Sequence, residues 1–275
     1  PHETLHWQRT QTTGNLQDQA RRARYGLIAD WARRREISHV ALGHTADDQA
    51  ETFLMNLARG SGIDGLAGMR HRWSDEGITW SRPFLLQDRA DLREYLNRRG
   101  IGWVDDPSNE DTKFQRVKAR KALAALAPLG IDAQVISGVT VNLSSVRQAL
   151  AMQTHEIARQ IAKCDGGDVV FDWRGLRAAP PEVQRRLLIA ALRWVSGAVH
   201  PPREIGLIAA DIAITRKKNH TLAGCRILTS DSDVRVTREA RAVRDTRAKS
   251  GEAWDDRWIV TGPLKRATVA PLGAD

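Results

Sequence analysis

The run Gly43-His44-Thr45-Ala46-Asp47-Asp48-Gln49-Ala50-Glu51-Thr52 constrains this 275-residue chain more than any other stretch. Ahead of it, His39-Val40-Ala41-Leu42 reads as a short buried strand, with Gly43 to Thr45 as the turn that leaves it. Thr45 or Asp47 can cap a following helix, because a side-chain oxygen there accepts the free N–H groups of the first turn. Ala50, Phe53, Leu54, Leu57 and Ala58 trace one apolar helical stripe that Gly60 ends. A strand, a turn and an amphipathic helix, preceded by the helix-forming run Leu16 to Arg35, give the alternating rhythm of an α/β parallel sheet.

Asp47, Asp48 and Glu51 cluster on the first turns of that helix, with His44 close by. Acids at a helix start offset the helix dipole, which is a purely structural use. The same groups stand at the carboxyl end of a strand, where open α/β sheets hold their ligands. Spacing alone does not separate the two.

Gly60-Ser61-Gly62-Ile63-Asp64-Gly65 has the composition of a phosphate loop but follows a helix instead of a strand, so it reads as a helix C-cap and turn. Trp80 to Leu86 reads as a strand edge, and Arg89 to Arg99 as a helix stopped by Gly100. Asp105-Asp106-Pro107-Ser108-Asn109 is a turn dense in oxygen ligands, and the basic segment Arg116, Lys118, Arg120, Lys121 follows it. From Asp132 to Lys163 near-heptad apolar spacing predicts a long helix, with a boundary near Gly130. Val169 to Phe171 reads as a strand, and Pro181 to Val195 and Pro201 to Ile214 as helices. The basic cluster Arg216-Lys217-Lys218 precedes a β-hairpin over Thr221–Leu228 and Asp233–Arg238. Residues 239–253 are polar and read as loosely ordered, and Trp254 begins a further strand. The expected organisation is therefore a catalytic α/β domain over 1–130, a mainly helical domain over 131–215, and a small α+β region over 216–275.

Lys and Arg number 42 against 33 Asp and Glu, a formal charge of +9. An arginine-rich excess favours an anionic partner, and nucleic acid is the default because guanidinium pairs bidentately with phosphate. Two isolated cysteines, Cys164 and Cys225, exclude paired-cysteine metal sites and point to a reducing compartment. No apolar run approaches the roughly 20 residues a membrane helix needs.

Together the Gly43–Thr52 run, Arg59-Gly60-Ser61-Gly62, Gly65-Leu66, Arg21 to Tyr25, Arg82-Pro83, the Asp105–Asn109 turn and the basic segment after it closely resemble the tRNA(Ile)-lysidine synthetases. These belong to the PP-loop ATP pyrophosphatase group, and the resemblance covers about residues 5–125. It implies a PP-loop ATPase-like α/β fold in a cytoplasmic enzyme with no membrane role, with a homodimer left open. The activity implied is adenylation by ATP of the wobble cytidine C2 oxygen of a CAU-anticodon tRNA(Ile). The ε-amine of L-lysine then displaces AMP.

It also implies residue roles. Asp48, His44 and Glu51 would be catalytic, with Asp48 holding lysine or Mg²⁺. Arg21, Arg24, Gly43 and His44 would serve ATP, and Arg116, Lys118, Arg120, Arg216, Lys217 and Lys218 the RNA backbone. Two departures bear on this. The family's Ser-Gly-Gly-x-Asp-Ser loop is not found in residues 1–20, so the phosphate-gripping side is expected upstream and this chain alone is expected to lack ATP-dependent activity. Val117 also stands where the family usually has Asn. A tRNA thiolase of the same group and a non-catalytic RNA-binding fragment are the competing readings.

Overall fold

The computed structural model describes residues 2–8, 16–75, 77–104, 115–260 and 268–270. The Asp105–Asn109 turn lies outside them. Two compact units divide the chain, Pro1–Gln148 and Ala149–Asp275.

In the first unit, α1 (Leu16–Arg34) leads to β1 (His39–Ala41) and α2 (Ala46–Leu57), followed by the short α3 (Ile63–Leu66). Next come β2 (Arg72–Asp75), β3 (Ile78–Ser81), α4 (Arg89–Arg98) and α5 (Gln115–Leu126). The long α6 (Ala133–Ile161) follows, and the division between units falls within it. The strands form a three-stranded sheet in the order β1-β3-β2. β1 and β3 are parallel, with His39 opposite Thr79, and β2 pairs antiparallel to β3. The parallel pair is the expected α/β element, and the β2–β3 hairpin makes the sheet mixed. Ala29 and Ala32 of α1 close over Leu42, Ile78 and Trp80, with Tyr25, Ile28, Trp31 and Trp73 at the margin of this core.

Local chemistry sets several boundaries. Leu5 to Trp7 forms no strand, although its sequence suggested one. β3 ends at Ser81 instead of running to Leu86, since Pro83 cannot donate to a ladder and the chain turns, with Leu85 N–H donating to Arg82 O at 3.3 Å. Gly60, at φ +67°, ends α2 through its N–H to Leu57 O, as the C-cap reading requires. Gly68 has φ +64°, and a Cβ there would stand 2.7 Å from Gln49 Oε1. Gln49 is itself buried and holds that loop, accepting from Met69 N–H at 2.8 Å and donating to Thr140 Oγ1 at 3.1 Å.

In the second unit, β4 (Ala162–Asp165) and β5 (Asp168–Asp172) form a hairpin around Gly166-Gly167. α7 (Trp173–Ala178), α8 (Pro181–Ser196) and α9 (Glu204–Thr215) follow, then β6 (His220–Leu222), β7 (Cys225–Thr229) and β8 (Asp233–Arg238). The strands make one antiparallel five-stranded sheet in the order β4-β5-β8-β7-β6. Its buried face, carrying Val169, Phe171, Ile227, Val234 and Val236, packs with Val183, Leu187, Leu192 and Val195 of α8 and with Leu207 and Ile214 of α9. The hairpin expected as a separate accessory region thus shares one sheet and core with the helices before it. β8 pairs with β5 across more than sixty residues of sequence, a long-range pairing that local spacing does not reveal. Residues 239–253 are also better ordered than their polarity suggested. Val243 and Ala248 are buried, and Arg238 grips Asp255 through two hydrogen bonds of 2.9 Å each. Trp254 does not begin a long strand but pairs with Trp258 in a short hairpin, Ala253–Trp254 against Trp258–Ile259.

Among the described residues no single helix is long and apolar enough to cross a membrane.

Candidate functional site

The site grows from the N-terminus of α2. Thr45 is its cap, and the Asp48 carboxylate folds back to accept from Thr45 N–H at 2.9 Å and from Thr45 Oγ1 at 3.1 Å. The other Asp48 oxygen meets Arg116 at 3.2 Å and Arg89 at 3.6 Å. Asp47 accepts from Arg89 N–H at 2.8 Å and so fixes the start of α4. These acids thus serve the structural use, capping helices, and Asp48 in addition anchors two arginines.

Glu51, one turn on, is 1% exposed. Its Oε1 accepts from Arg120 Nε at 2.9 Å and Nη2 at 2.8 Å, while Oε2 is buried with no partner among the described residues. Arg116 and Arg120 lie one helical turn apart on α5, matching Asp48 and Glu51 on α2, and the two helices pack together along this double ion pair. The buried side of α2 therefore runs through Ala46, Gln49, Ala50 and Glu51, while Leu57 of the expected apolar stripe is exposed. Val117, the departure from the family pattern, is buried on α5.

Beside α2 opens a cleft of about 910 Å³. Five arginines line it: Arg21 and Arg24 from α1, Arg70 from the loop before β2, Arg82 after β3, and Arg116 from α5. His44, Tyr25 and Trp73 complete its polar and aromatic wall, with Asp64 and Asp75 as the acidic members. Arg82 is 4% exposed and is the hub of this wall. Its guanidinium donates from Nε to His44 Nδ1 at 3.3 Å, from Nη1 to Arg70 O at 2.6 Å, and from Nη2 to Tyr25 Oη at 3.0 Å. It also lies 4.4 Å from the centre of the Trp73 ring, which stacks on Trp80. Burial, followed by the charge of Arg82, pushes the His44 imidazole below its ordinary value, with Asp48 partly opposing.

The expected residues are only partly united. Arg21, Arg24, His44 and Arg116 share the cleft, and Gly43 is exposed in the turn just before His44. Asp48 and Glu51 do not line the cleft. Asp48, expected to take Mg²⁺, has both oxygens engaged by Thr45, Arg89 and Arg116, so it does not fit a metal ligand as placed. Among the described residues no cluster of His, Cys, Asp and Glu could hold a metal ion. Of the expected RNA-facing residues on α5, Lys118 is exposed, whereas Arg116 and Arg120 turn to the acids of α2. In the second unit Lys217 is held by Asp231 at 2.5 Å and lies 5.1 Å from the Trp173 ring centre, while Arg216 and Lys218 are exposed.

Sequence reasoning gave no role to Gln49 or Arg89, nor one to Arg82 and Tyr25 beyond the resemblance. The available signal was an arginine between a strand and a proline, a place where a cation has no helix face to sit on.

A PP-loop domain model matches residues 1–127. The tRNA(Ile)-lysidine synthase of Ruegeria pomeroyi is 46% identical over 275 residues, covering 100% of this chain and 66% of that protein. The enzyme of the same name from a Brugia malayi Wolbachia is 31% identical, covering 98% of this chain and 65% of its own length. The Anaplasma marginale counterpart is 33% identical, covering 86% and 52%. The chain thus spans just under two thirds of the first two of these relatives. A PP-loop domain over residues 1–127, a basic cleft built on it, and similarity across the whole of this chain agree: the chain belongs to the tRNA(Ile)-lysidine synthase family.

Proposed function

We propose that this chain carries the catalytic cleft of an ATP-dependent ligase that joins L-lysine to the wobble cytidine of a CAU-anticodon tRNA(Ile). The observation that supports it best is the five-arginine cleft at the start of α2, a concentration of fixed cations suited to polyphosphate. In this reading the cytidine C2 oxygen attacks the α-phosphorus of ATP and pyrophosphate leaves. The lysine ε-amine, having given up its proton, then attacks C2, and the C2–O bond breaks with its electrons departing on AMP.

Arg21, Arg24, Arg70 and Arg116 hold phosphate oxygens and offset the charge that grows on each leaving group. The Asp48 carboxylate sets the direction from which Arg116 enters. Glu51, buried outside the cleft, pairs with Arg120 and so keeps Arg116, one turn away on α5, at the cleft wall. Mg²⁺ enters this reading only as the counter-ion of the phosphates, and no step runs through it. Lys118, Arg216 and Lys218, all exposed, are the candidate RNA contacts. A cytoplasmic setting follows, since tRNA and ATP meet there.

The thiolase alternative is less favoured, because the two cysteines form no reactive pair: both are free, Cys164 exposed and Cys225 buried with its thiol pushed up to about 11, principally by burial. The test is to incubate the full-length protein with ATP, Mg²⁺, lysine and a CAU-anticodon tRNA(Ile) transcript, reading AMP release and the mass of the modified nucleoside. Lysine-dependent AMP release with one lysine gained is the expected result. tRNA binding without AMP release would favour a binding module, and sulfur incorporation a thiolase.

A further inference from the structure

We infer that Arg82 is a positioning residue that fixes His44 as the neutral imidazole with its proton on Nε2, so that His44 offers a hydrogen-bond donor to the nucleotide and does not act as a base. The second half of this statement rests on the nucleotide reading above; the first half stands on geometry alone.

Arg82 lines the cleft, yet each of its three nitrogens donates to the protein. Nη1 is spent on Arg70 O, Nη2 on Tyr25 Oη and Nε on His44 Nδ1, and Trp73 covers the guanidinium plane. A guanidinium has no lone pair to offer and does not lose its proton in a protein, so its Nε–H can only donate. His44 Nδ1 must then be the acceptor and carry no hydrogen. A neutral imidazole has one N–H, which leaves it on Nε2. A second proton would have to go on Nδ1, placing two N–H groups and two positive charges face to face.

The other charged groups around the ring, drawn from each neighbouring element, mostly act in the same direction. Arg24 of α1 and Arg116 of α5 oppose protonation, and Asp48 of α2 alone favours it. Burial opposes it as well, in keeping with the lowered value of this imidazole. Nε2 has no partner among the described residues, and the ring lines the cleft. A ring held in this state cannot take the proton that the lysine ammonium must lose. What it can do is donate to an acceptor such as a phosphate oxygen.

The direct test is a long-range ¹H–¹⁵N spectrum of the full-length protein with labelled histidine, the His44 pattern being identified among the 8 histidines of this chain by its loss in His44→Gln. The ligand-free wild type is expected to show a protonated Nε2 and a bare Nδ1 from about pH 8 down to about pH 6, across the range where an ordinary imidazole ionises. Arg82→Lys, which keeps the charge and loses the rigid fork, is expected to show averaged tautomers. A proton on Nδ1, tautomer averaging in the wild type, or a charged ring near neutrality would overturn the assignment, and none of these needs Arg82→Lys to fold.

The second arm uses ATP as the probe. The amide nitrogen of Gln reaches the place of Nε2 and that of Asn the place of Nδ1, so His44→Asn should weaken ATP binding about tenfold or more and His44→Gln by less than about threefold. Equal losses would overturn the donor role while leaving the tautomer result intact. A full-length wild type that binds no ATP would instead overturn the functional reading, and the donor role with it.

Discussion

Glu51 and Asp48 sit three residues apart on α2 and use one kind of partner for different ends. Glu51 is nearly inaccessible, and its single ion pair with Arg120 is what makes a carboxylate tolerable at that depth. Replacing it by Gln should lower stability by about 1–3 kcal/mol, read from urea unfolding, because Arg120 loses a charged acceptor but retains partial access to water. Asp48→Asn keeps the hydrogen bonds that close the helix start and weakens the hold on Arg116. Its expected effect is a rise of about tenfold in the KM for ATP with little change in melting temperature, corresponding to about 1.4 kcal/mol of lost phosphate positioning. His44 makes a pH prediction whose sign is fixed. Its folded value is lowered, so as pH falls below about 6.5 the unfolded chain takes up the proton first. The stability present above that point is lost as pH falls towards the folded value, with a slope of at most about 1.4 kcal/mol per pH unit. Stability curves of the wild type and His44→Gln should therefore diverge over that window and run parallel above it.

Among the elements, those whose ends carry their own chemistry respond most predictably to substitution. Asp172 caps α7 by accepting from Gly175 N–H, and Asp172→Ala should cost about 1 kcal/mol in chemical denaturation. Gly68 combines a left-handed backbone with a Cβ position occupied by the Gln49 amide. Gly68→Ala should therefore cost at least about 1–2 kcal/mol and displace the Met69–Arg70 segment, which a loss of ATP affinity would report. The caps at Thr45 and Gly60 and the limits of α1, α8 and β8 were readable because short-range chemistry decides them, whereas the run Thr221–Leu228, read as one strand, is broken by the Ala223-Gly224 turn into β6 and β7. The buried side of α2 was not. Apolar spacing pointed to Phe53, Leu54 and Leu57, whereas the helix buries Gln49 and Glu51 against partners twenty to ninety residues away in sequence.

At the scale of the whole molecule, the formal charge of +9 predicts tRNA binding that weakens steeply with salt. If Lys118, Arg216 and Lys218 each neutralise a phosphate, the slope of log affinity against log salt should become less negative by nearly one for each residue changed to Ala. Filter binding across a salt series would measure it, and slopes unchanged in all three variants would remove these residues from the interface. The amino-acid sequence by itself determined the family, the αβα rhythm of the first unit, the cap of α2 and the cationic character of the chain, because each depends on residue types in the sequence or at fixed short spacing. Only the tertiary structure decided that β8 joins β5 and makes the C-terminal hairpin part of one sheet and core. It also decided that α5 turns Arg116 and Arg120 onto the acids of α2, and that Arg82 closes on His44 from a strand end 38 residues away. In the run Gly43–Thr52, spacing left Asp48 and Glu51 open between capping and ligand binding, and their charges are answered by arginines that folding brings from far along the chain. Burial makes an unanswered charge costly, and no local pattern states which distant cation will answer it.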